Sequence, residues 1–286
     1  MNNSNTLPDI QHSMKPDIPL YINQVGVEKV KLPFKLDSMY GGVYNLVAEV
    51  EMTTDLAADI KGISMGMLCR TLMTYLDKPL KHEIIKEILT EFKTAVETDS
   101  KHSSIKFEFE LPINKKAPVS SIIFPQFYKC AFIGKLDNDE FKFYQKIRVY
   151  YGSYCPCSSS LCDDLNEKGL KGYPHAQRSY VDILVEILPE NIVWLESLIE
   201  IVEDAIKTAT CPILRRSDEQ EFARIAAENP MFVEDAIRRI SNVLNNQELI
   251  YDWIAKCTHM ESIHVSNAIS TCWKNIYNGF SGIYYL

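Results

Sequence analysis

Alternating apolar and polar positions mark much of this chain as β-strand. The clearest case is Ile105–Leu111, in which every second residue is apolar. Strict alternation of this kind is typical of a strand with one buried face. The same pattern predicts strands over residues 25–36, 43–52, 119–136, 140–151, 179–188 and about 248–258, and a strand or short helix beyond residue 265.

Apolar residues at helical spacing predict a second set of elements. Helices are predicted near residues 65–76, 80–97, 191–209, 218–228 and 231–245. In the second of these, one face carries Ile84, Ile85, Ile88, Leu89, Phe92 and Val96, which we interpret as core packing. The polar segment from Ser158 to Lys171 contains two Asp, a Glu and a Gly, and it is predicted to be a loop.

The order of these elements defines the fold class. Helices follow strand hairpins instead of alternating with single strands, which favours an α+β protein with antiparallel sheets. The order of strands, two helices and strands then occurs a second time. We therefore predict two tandem modules, residues 21–152 and 153–286, preceded by a loose N-terminal arm over residues 1–20.

Composition narrows the function classes. The net charge of −8 argues against a general nucleic-acid binder, which would carry a basic face. No apolar run approaches the roughly 20 residues that cross a bilayer, and the polar start Met1–Pro8 lacks the features of an export signal. A cytoplasmic protein is expected, in which the 8 cysteines serve as metal ligands or packing residues and form no disulfides.

One stretch carries candidate metal chemistry. Cys155 and Cys157 stand one residue apart, and His175 follows Cys155 after twenty positions. We expect the thiols at the end of one strand and the imidazole at the start of the next, where they can converge on a metal ion. The spacing is not that of a zinc finger, and from the spacing alone buried thiols with a surface histidine are the better explanation. It also does not choose between the two thiols.

Short motifs spread over the chain resemble a known family. They are Leu7-Pro-Asp-Ile-Gln11, Val25-Gly-Val27, Lys61-Gly-Ile63, Cys155-Pro-Cys-Ser158, His175-Ala-Gln-Arg-Ser179, Arg215-Arg-Ser-Asp-Glu219, Asn229-Pro-Met-Phe-Val-Glu-Asp235 and Glu261-Ser-Ile-His264. In this order they resemble the type IB GTP cyclohydrolase I family, which is metal-dependent and stands at the entry to folate and related pterin synthesis. The resemblance spans residues 7 to about 270.

The resemblance implies a fold, an assembly and a reaction. The fold is the tunnelling fold, in which each of two tandem modules is an antiparallel sheet with helices packed on one side. The family usually forms homotetramers with active sites at subunit interfaces. The implied reaction converts GTP and water to formate and 7,8-dihydroneopterin triphosphate.

The resemblance also implies a ligand set for a metal ion. Cys155, His175 and Glu219 stand where the family has its ligands. A thiolate, an imidazole and a carboxylate leave one position of a divalent ion open for water, which suits a catalytic site. Zinc suits these donors, and iron(II) or manganese is also compatible.

Five further residues receive roles by the same resemblance. Glu234 matches a family glutamate that we interpret as the anchor of the guanine edge, and His264 matches a histidine that can shuttle protons during ring opening. Arg178, Arg215 and Arg216 are the motif-borne cations for the triphosphate. Without the resemblance, a solvated carboxylate in a first helical turn and surface ion pairs would account for these residues.

Two stretches depart from the family pattern. Many members read Gly-(Ile/Thr)-His-Met-Ser-Arg where this chain has Gly62-Ile-Ser64-Met-Gly66-Met67, and His-x-His where it has His264-Val-Ser266. The departures leave three hypotheses. The protein hydrolyses GTP; or it acts on another purine nucleotide or stops at the formamidopyrimidine; or it is a non-catalytic oligomer that binds metal or nucleotide.

Overall fold

The structure, a computed structural model, describes residues 10–95 and 100–281. Its strands lie next to one another in chain order and are β1 (Ile22–Asp37), β2 (Val43–Leu56), β3 (His102–Lys116), β4 (Ile123–Asp137), β5 (Glu140–Tyr154), β6 (Ala176–Ile187), β7 (Asp252–His259) and β8 (Ala268–Trp273). Its helices are α1 (Ile10–Ser13), α2 (Met65–Met73), α3 (His82–Ala95), α4 (Pro156–Glu167), α5 (Leu195–Ile206), α6 (Arg216–Ala227) and α7 (Val233–Asn245).

The predicted α+β class is confirmed, and the predicted elements coincide with observed ones. The alternation that predicted the strand over 140–151 is preserved in β5, where every second residue is buried. The segment beyond residue 265 forms the strand β8. The predicted end of α3 at residues 96–97 and the motif residues 7–9 lie outside the described residues.

The prediction of a loop over Ser158–Lys171 is wrong, because α4 occupies most of it. Pro156 occupies the first turn, where a helix needs no backbone N–H. Gly169 follows the helix with a φ of 76°, the left-handed conformation that commonly ends helices. Cys162 is the buried residue of α4, so the apolar stripe is too narrow to reveal a helix by its period.

The chain divides into two compact units. The first contains the described residues up to Phe109 together with Phe132–Phe143, and the second contains Glu110–Ala131 together with the described residues from Tyr144 onward. Each unit thus draws on two separate stretches of the chain. The predicted tandem modules, 21–152 and 153–286, concern a repeat of topology, and they stay a prediction.

The first unit has an aromatic and aliphatic core. The strands β1, β2 and β3 pair antiparallel, with Phe34 opposite Leu46 and Val50 opposite Phe107. The rings of Phe34, Phe107, Phe109, Phe132 and Phe143 form a chain of ring contacts. The inner face of α3 consists of Ile85, Ile88, Leu89 and Phe92, all fully buried. Gly134 lies under this face, where a Cβ would clash with Cγ2 of Ile85, so its lack of a side chain permits the close approach of α3.

The second unit contains the antiparallel strands β6, β7 and β8. Helix α7 contacts β7, β8 and α5, and its buried residues are Val233, Ala236, Ile237, Ile240 and Leu244. The end of α7 is tied to β7 because the indole Nε1–H of Trp253 donates to Oδ1 of Asn245 at 3.1 Å. At the other end of α7, the N–H of Phe232 donates to Oδ2 of Asp235 at 3.1 Å and caps the first turn, which contains Glu234.

Candidate active site

The predicted meeting of Cys155 and His175 at adjacent strand ends is confirmed. Cys155 follows the last residue of β5 and is the N-cap residue of α4, while His175 directly precedes β6. The backbone N–H of Cys155 donates to the carbonyl of His175 at 3.4 Å. The N–H of His175 in turn donates to Oγ of Ser158 at 3.2 Å. Two backbone contacts therefore hold the histidine against the start of α4.

The ring of His175 is largely enclosed and has polar neighbours. Its Nδ1 lies 3.0 Å from Oε1 of Gln177 and 3.8 Å from Oε2 of Glu261. The amide Nε2 of Gln177 donates to Oε1 of Glu261 at 3.4 Å. Gln177 is buried, and the side chains of His175 and Glu261 are only 15% and 17% exposed. The sequence alone gave no role to Gln177 or Glu261, although both stand in the motifs that carried the resemblance.

A buried hydrogen-bond network lies beneath these residues. His259, on β7, accepts or donates at Nε2 with the hydroxyl of Tyr151 at 3.0 Å, and its Nδ1 lies 3.4 Å from Oγ of Ser153. Ser153 is also hydrogen-bonded to Ser179 at 2.9 Å. Burial lowers the pKa of His259 to about 4, although the negative charge of Glu234 acts in the opposite direction. The imidazole is therefore neutral at physiological pH.

Helix α6 presents Glu219 to solvent beside a buried anchor. Asp218 is fully buried, and its Oδ1 accepts hydrogen bonds from the N–H groups of Val119 and Ser120 at 2.9 and 2.7 Å. Its Oδ2 accepts from the N–H of Arg215 at 2.8 Å. Burial alone would raise the pKa of Asp218, but these hydrogen bonds lower it well below its usual value. Asp218 was not predicted as important, because nothing in the sequence distinguishes it from the neighbouring carboxylate.

A cleft of about 260 Å³ lies beside this region within the second unit. Its walls include Ser153 on β5, Gln177 and Arg178 at the start of β6, and Phe222 and Ala226 on α6. The exposed residue Arg178 thus lines the cleft, on the same strand as the buried Gln177. A cation, an amide and an aromatic ring around one cleft suit a polar ligand with an aromatic part.

The other predicted residues are exposed at the ends of elements. Glu234 is in the first turn of α7, and His264 lies in the turn between β7 and β8. Arg215 is the N-cap residue of α6, and Arg216 is its first residue. Ser64, the position of one departure, is the N-cap residue of α2 in the first unit.

The predicted metal ligands are brought together only in part. Within residues 10–95 and 100–281, no three His, Cys, Asp or Glu side chains are grouped so that they could hold a metal ion. Cys155 and His175 meet through their backbones, and their thiol and imidazole fit a divalent ion such as zinc. Glu219 is exposed on α6, and its place in the ligand set stays a prediction.

Comparison with known proteins identifies the class of protein to which the chain belongs. The model of the family described as "Type I GTP cyclohydrolase folE2" matches residues 7–270. GTP cyclohydrolase FolE2 of Cereibacter sphaeroides is 32% identical over 93% of this chain and 74% of its own length. That of Hydrogenovibrio crunogenus is 29% identical over 96% of both chains. The chain is therefore a GTP cyclohydrolase relative in nearly its whole length.

The particular family follows from the extent of this match. The chain belongs to the type I GTP cyclohydrolase FolE2 family. The recognition of a GTP cyclohydrolase from its motifs is thus confirmed, while the type IB subdivision stays a prediction.

Solved structures add a likeness of fold. The uricase of Arthrobacter globiformis superposes with a TM-score of 0.57, over 94% of this chain and 99% of its own, at 7% identity. The urate oxidase of Bacillus subtilis gives a TM-score of 0.50 over 87% and 97% at 10% identity. At such identities the likeness concerns the arrangement of strands and helices alone. No helix among the described residues is long and apolar enough to cross a membrane.

Proposed function

We propose that this protein is a GTP cyclohydrolase that opens the imidazole ring of GTP, releases formate and forms 7,8-dihydroneopterin triphosphate. The observation that carries the proposal is the family match over residues 7–270, which contains every predicted site residue. The proposal includes the type IB assignment and a tunnelling-fold homotetramer with active sites at subunit interfaces. The eight free cysteines are in keeping with work in a reducing cytoplasm.

A divalent ion, most simply zinc, belongs to this proposal, with Cys155, His175 and Glu219 as its ligands. When bound, such an ion lowers the pKa of a coordinated water toward about 7 and so supplies a hydroxide near neutral pH. The protein contributes the position of the donors: α4 holds Cys155, and two backbone contacts hold His175 next to it. Glu219 is exposed in the first turn of α6, so it is available to complete a ligand set at a subunit interface.

Three arginines are assigned to the triphosphate. Arg178 lines the cleft, and Arg215 and Arg216 stand at the beginning of α6, where the helix dipole also favours negative charge. Guanidinium groups bind phosphate oxygens through paired hydrogen bonds. In this proposal the three guanidinium groups supply the positive charge that an anionic substrate needs against the net charge of −8.

Two residues are assigned to the base. Glu234 is an exposed carboxylate in the first turn of α7, and a carboxylate can accept two hydrogen bonds from N1–H and the exocyclic amine of guanine. His264 is exposed in the turn after β7, where an imidazole can move protons during ring opening. The catalytic set of the proposal is Cys155, Glu234 and His264.

The departures at Ser64 and Ser266 favour a second candidate within the family. An enzyme without these two imidazoles could use another purine nucleotide or stop at the formamidopyrimidine. Mass spectrometry separates the two, because the opened ring that keeps its formyl group is heavier than the nucleotide by one water. If the losses changed the chemistry, Ser64→His with Ser266→His will raise GTP turnover.

The central experiment measures metal and turnover together. Purified protein loaded with zinc, iron(II) or manganese is incubated with GTP, and formate and the oxidised fluorescent pterin are quantified. Cys155→Ala is expected to lose turnover and metal while keeping its unfolding midpoint, whereas Cys157→Ala, which alters an exposed thiol, keeps all three. Absence of both products from the unmodified protein with every metal would rule out GTP as substrate. Tight metal and nucleotide binding without any turnover would favour the non-catalytic oligomer.

A further inference from the structure

Three side chains of the second unit form a hydrogen-bonded line that ends at His175. The register of β6 and β7 pairs Ser179 with His259, and the N–H of Met260 donates to the carbonyl of Arg178 at 3.2 Å. Two residues beyond the paired Ser179, this register places Gln177 opposite Glu261. The strand pairing therefore brings together side chains that are 84 positions apart in sequence.

The carboxylate of Glu261, at one end of this line, determines the direction of both hydrogen bonds. The carboxylate of Glu261 can only accept, so the group of Gln177 that faces it at 3.4 Å must be the amide NH₂. The carbonyl Oε1 of Gln177 then faces Nδ1 of His175 at 3.0 Å. Because this oxygen also can only accept, Nδ1 must carry a hydrogen.

Rotating the side-chain amide of Gln177 by about 180° would break this match between donors and acceptors. A rotated Gln177 would point its carbonyl oxygen at the carboxylate of Glu261, and two acceptors would then face each other in a mostly buried place. A direct interaction gives the same answer, since Glu261 Oε2, 3.8 Å from Nδ1 of His175, is also an acceptor. Every acceptor that the structure places beside Nδ1 thus favours a proton there.

We infer that Glu261, acting through Gln177, fixes the neutral ring of His175 in the tautomer with its proton on Nδ1, which leaves the lone pair on Nε2. Glu261 and Gln177 are positioning residues for this imidazole. The inference rests on the proposed function in one respect only, the identity of the divalent ion that Nε2 would bind. It gives Glu261 a role separate from that of His264 in the same motif.

His175 is therefore held in one tautomer and one ring orientation before a metal ion binds. Neutral histidine in solution exchanges between tautomers, and the free ring rotates. In His175 both are restricted, since the backbone is held by Cys155 and Ser158 and the ring by Gln177. Removing the hydrogen-bond partner of a metal-ligating histidine typically lowers metal affinity by about 10- to 100-fold.

The first test reads the tautomer without any metal. Solid-state ¹⁵N spectra of histidine-labelled apo-protein at mildly alkaline pH distinguish a protonated from an unprotonated Nδ1, and His175→Gln identifies the signals. The unmodified protein is expected to show Nδ1–H for His175. Glu261→Leu and Gln177→Leu should move population toward Nε2–H, whereas Glu261→Gln, whose amide oxygen can still accept, should restore Nδ1–H.

The second test measures zinc affinity by competition with a chromophoric chelator. Glu261→Leu and Gln177→Leu are expected to weaken zinc binding about 10- to 100-fold, and Glu261→Gln much less. Gln247→Leu is the matched control, because the amide of Gln247 bonds only to the carbonyl of Val243 in its own segment among the contacts described. Unfolding midpoints identify any variant that fails to fold. If Glu261→Leu fails, Glu261→Gln and Gln177→Leu still give the comparison.

The outcomes separate the inference from the proposed function. An Nε2–H tautomer of His175 in the unmodified protein, or an unchanged tautomer in both leucine variants, overturns the inference whatever the zinc result. The predicted tautomer shifts without any zinc binding by the unmodified protein would leave the positioning intact and overturn the metal site instead.

Discussion

The two compact units differ in what they bury. The first unit buries a chain of phenylalanine rings and the aliphatic face of α3, with Asp55 and a few hydroxyl residues as its buried polar groups. The second unit buries a longer series: Gln145, Ser153, Gln177, Ser179, Asp182, Glu196, Thr208, Asp218, Asp252, Thr258 and His259. Buried polar groups are costly unless their partners are in place. Gln177 contacts His175, and Ser153, Ser179 and His259 are hydrogen-bonded to one another beneath it, which indicates that this part of the second unit holds side chains in fixed directions.

The largest effect on stability is expected from the apolar interior of the first unit. Phe92 is fully buried on α3, and Phe92→Ala should lower the free energy of unfolding by about 3–5 kcal/mol, since it removes packing and leaves a cavity. The loss should be the same at pH 5 and pH 8 because no charge is involved. Denaturant unfolding at both pH values measures it, with Phe92→Leu as the milder control. A loss that depends strongly on pH would contradict the comparison.

A buried histidine makes the second unit respond to pH instead. The pKa of His259 is lowered from 6.5 to about 4 by burial, against the opposing charge of Glu234. The unfolded chain therefore binds the proton more readily, so the stabilising contribution is complete above pH 6.5 and is lost as pH falls toward 4. The shift corresponds to about 3 kcal/mol at most.

The measurement compares pH profiles. Unfolding free energies are determined between pH 4 and pH 8 for the unmodified protein and His259→Asn, and the variant should show a flatter profile through this window. His102→Asn serves as the control, because that side chain is 43% exposed and belongs to the first unit. Identical slopes for the unmodified protein and His259→Asn would mean that this imidazole does not supply the pH dependence.

The same contrast explains what the sequence could predict. The alternation in Ile105–Leu111 and the helical period of residues 231–245 record which side chains are buried, so β3 and α7 were predictable. Helix α4 was missed because Cys162 is its buried residue and its remaining positions resemble a polar loop. Its signals, Pro156 and Gly169, mark ends and carry no period.

The site was predictable to the extent that it depends on neighbours in sequence. Cys155 and His175 flank a single connection, so their meeting follows from the ends of β5 and β6. The contact of Gln177 with Glu261 depends on the register between β6 and β7, and alternation fixes the face of a residue without fixing its partner. The placement of Glu219 depends on a buried carboxylate that looks in sequence like any other.

Two buried carboxylates, one in each unit, give the smallest expected effect on stability and the most selective test of the difference between the units. In the first unit, Asp55 accepts at Oδ1 from the N–H groups of Lys101 and His102, at 2.9 and 2.8 Å. In the second, Asp218 accepts in the same way from Val119 and Ser120. Replacing either by Asn removes the charge that these hydrogen bonds stabilise, at a cost of about 1–3 kcal/mol. At Asp218 the new NH₂ also faces an N–H group, because Arg215 donates to the second oxygen, whereas at Asp55 the second oxygen faces the hydroxyl of Tyr21, which can accept.

The two substitutions should differ in activity, although they resemble each other in stability. Asp218 also holds the N–H of Arg215 and directly precedes Glu219, so Asp218→Asn should lower GTP turnover at saturating substrate. Asp55→Asn should leave turnover close to that of the unmodified protein once both are assayed below their unfolding midpoints. If both variants lose turnover equally, the first unit contributes to the site as much as the second. If neither loses it, the start of α6 tolerates movement, and Glu219 is not a ligand whose position matters.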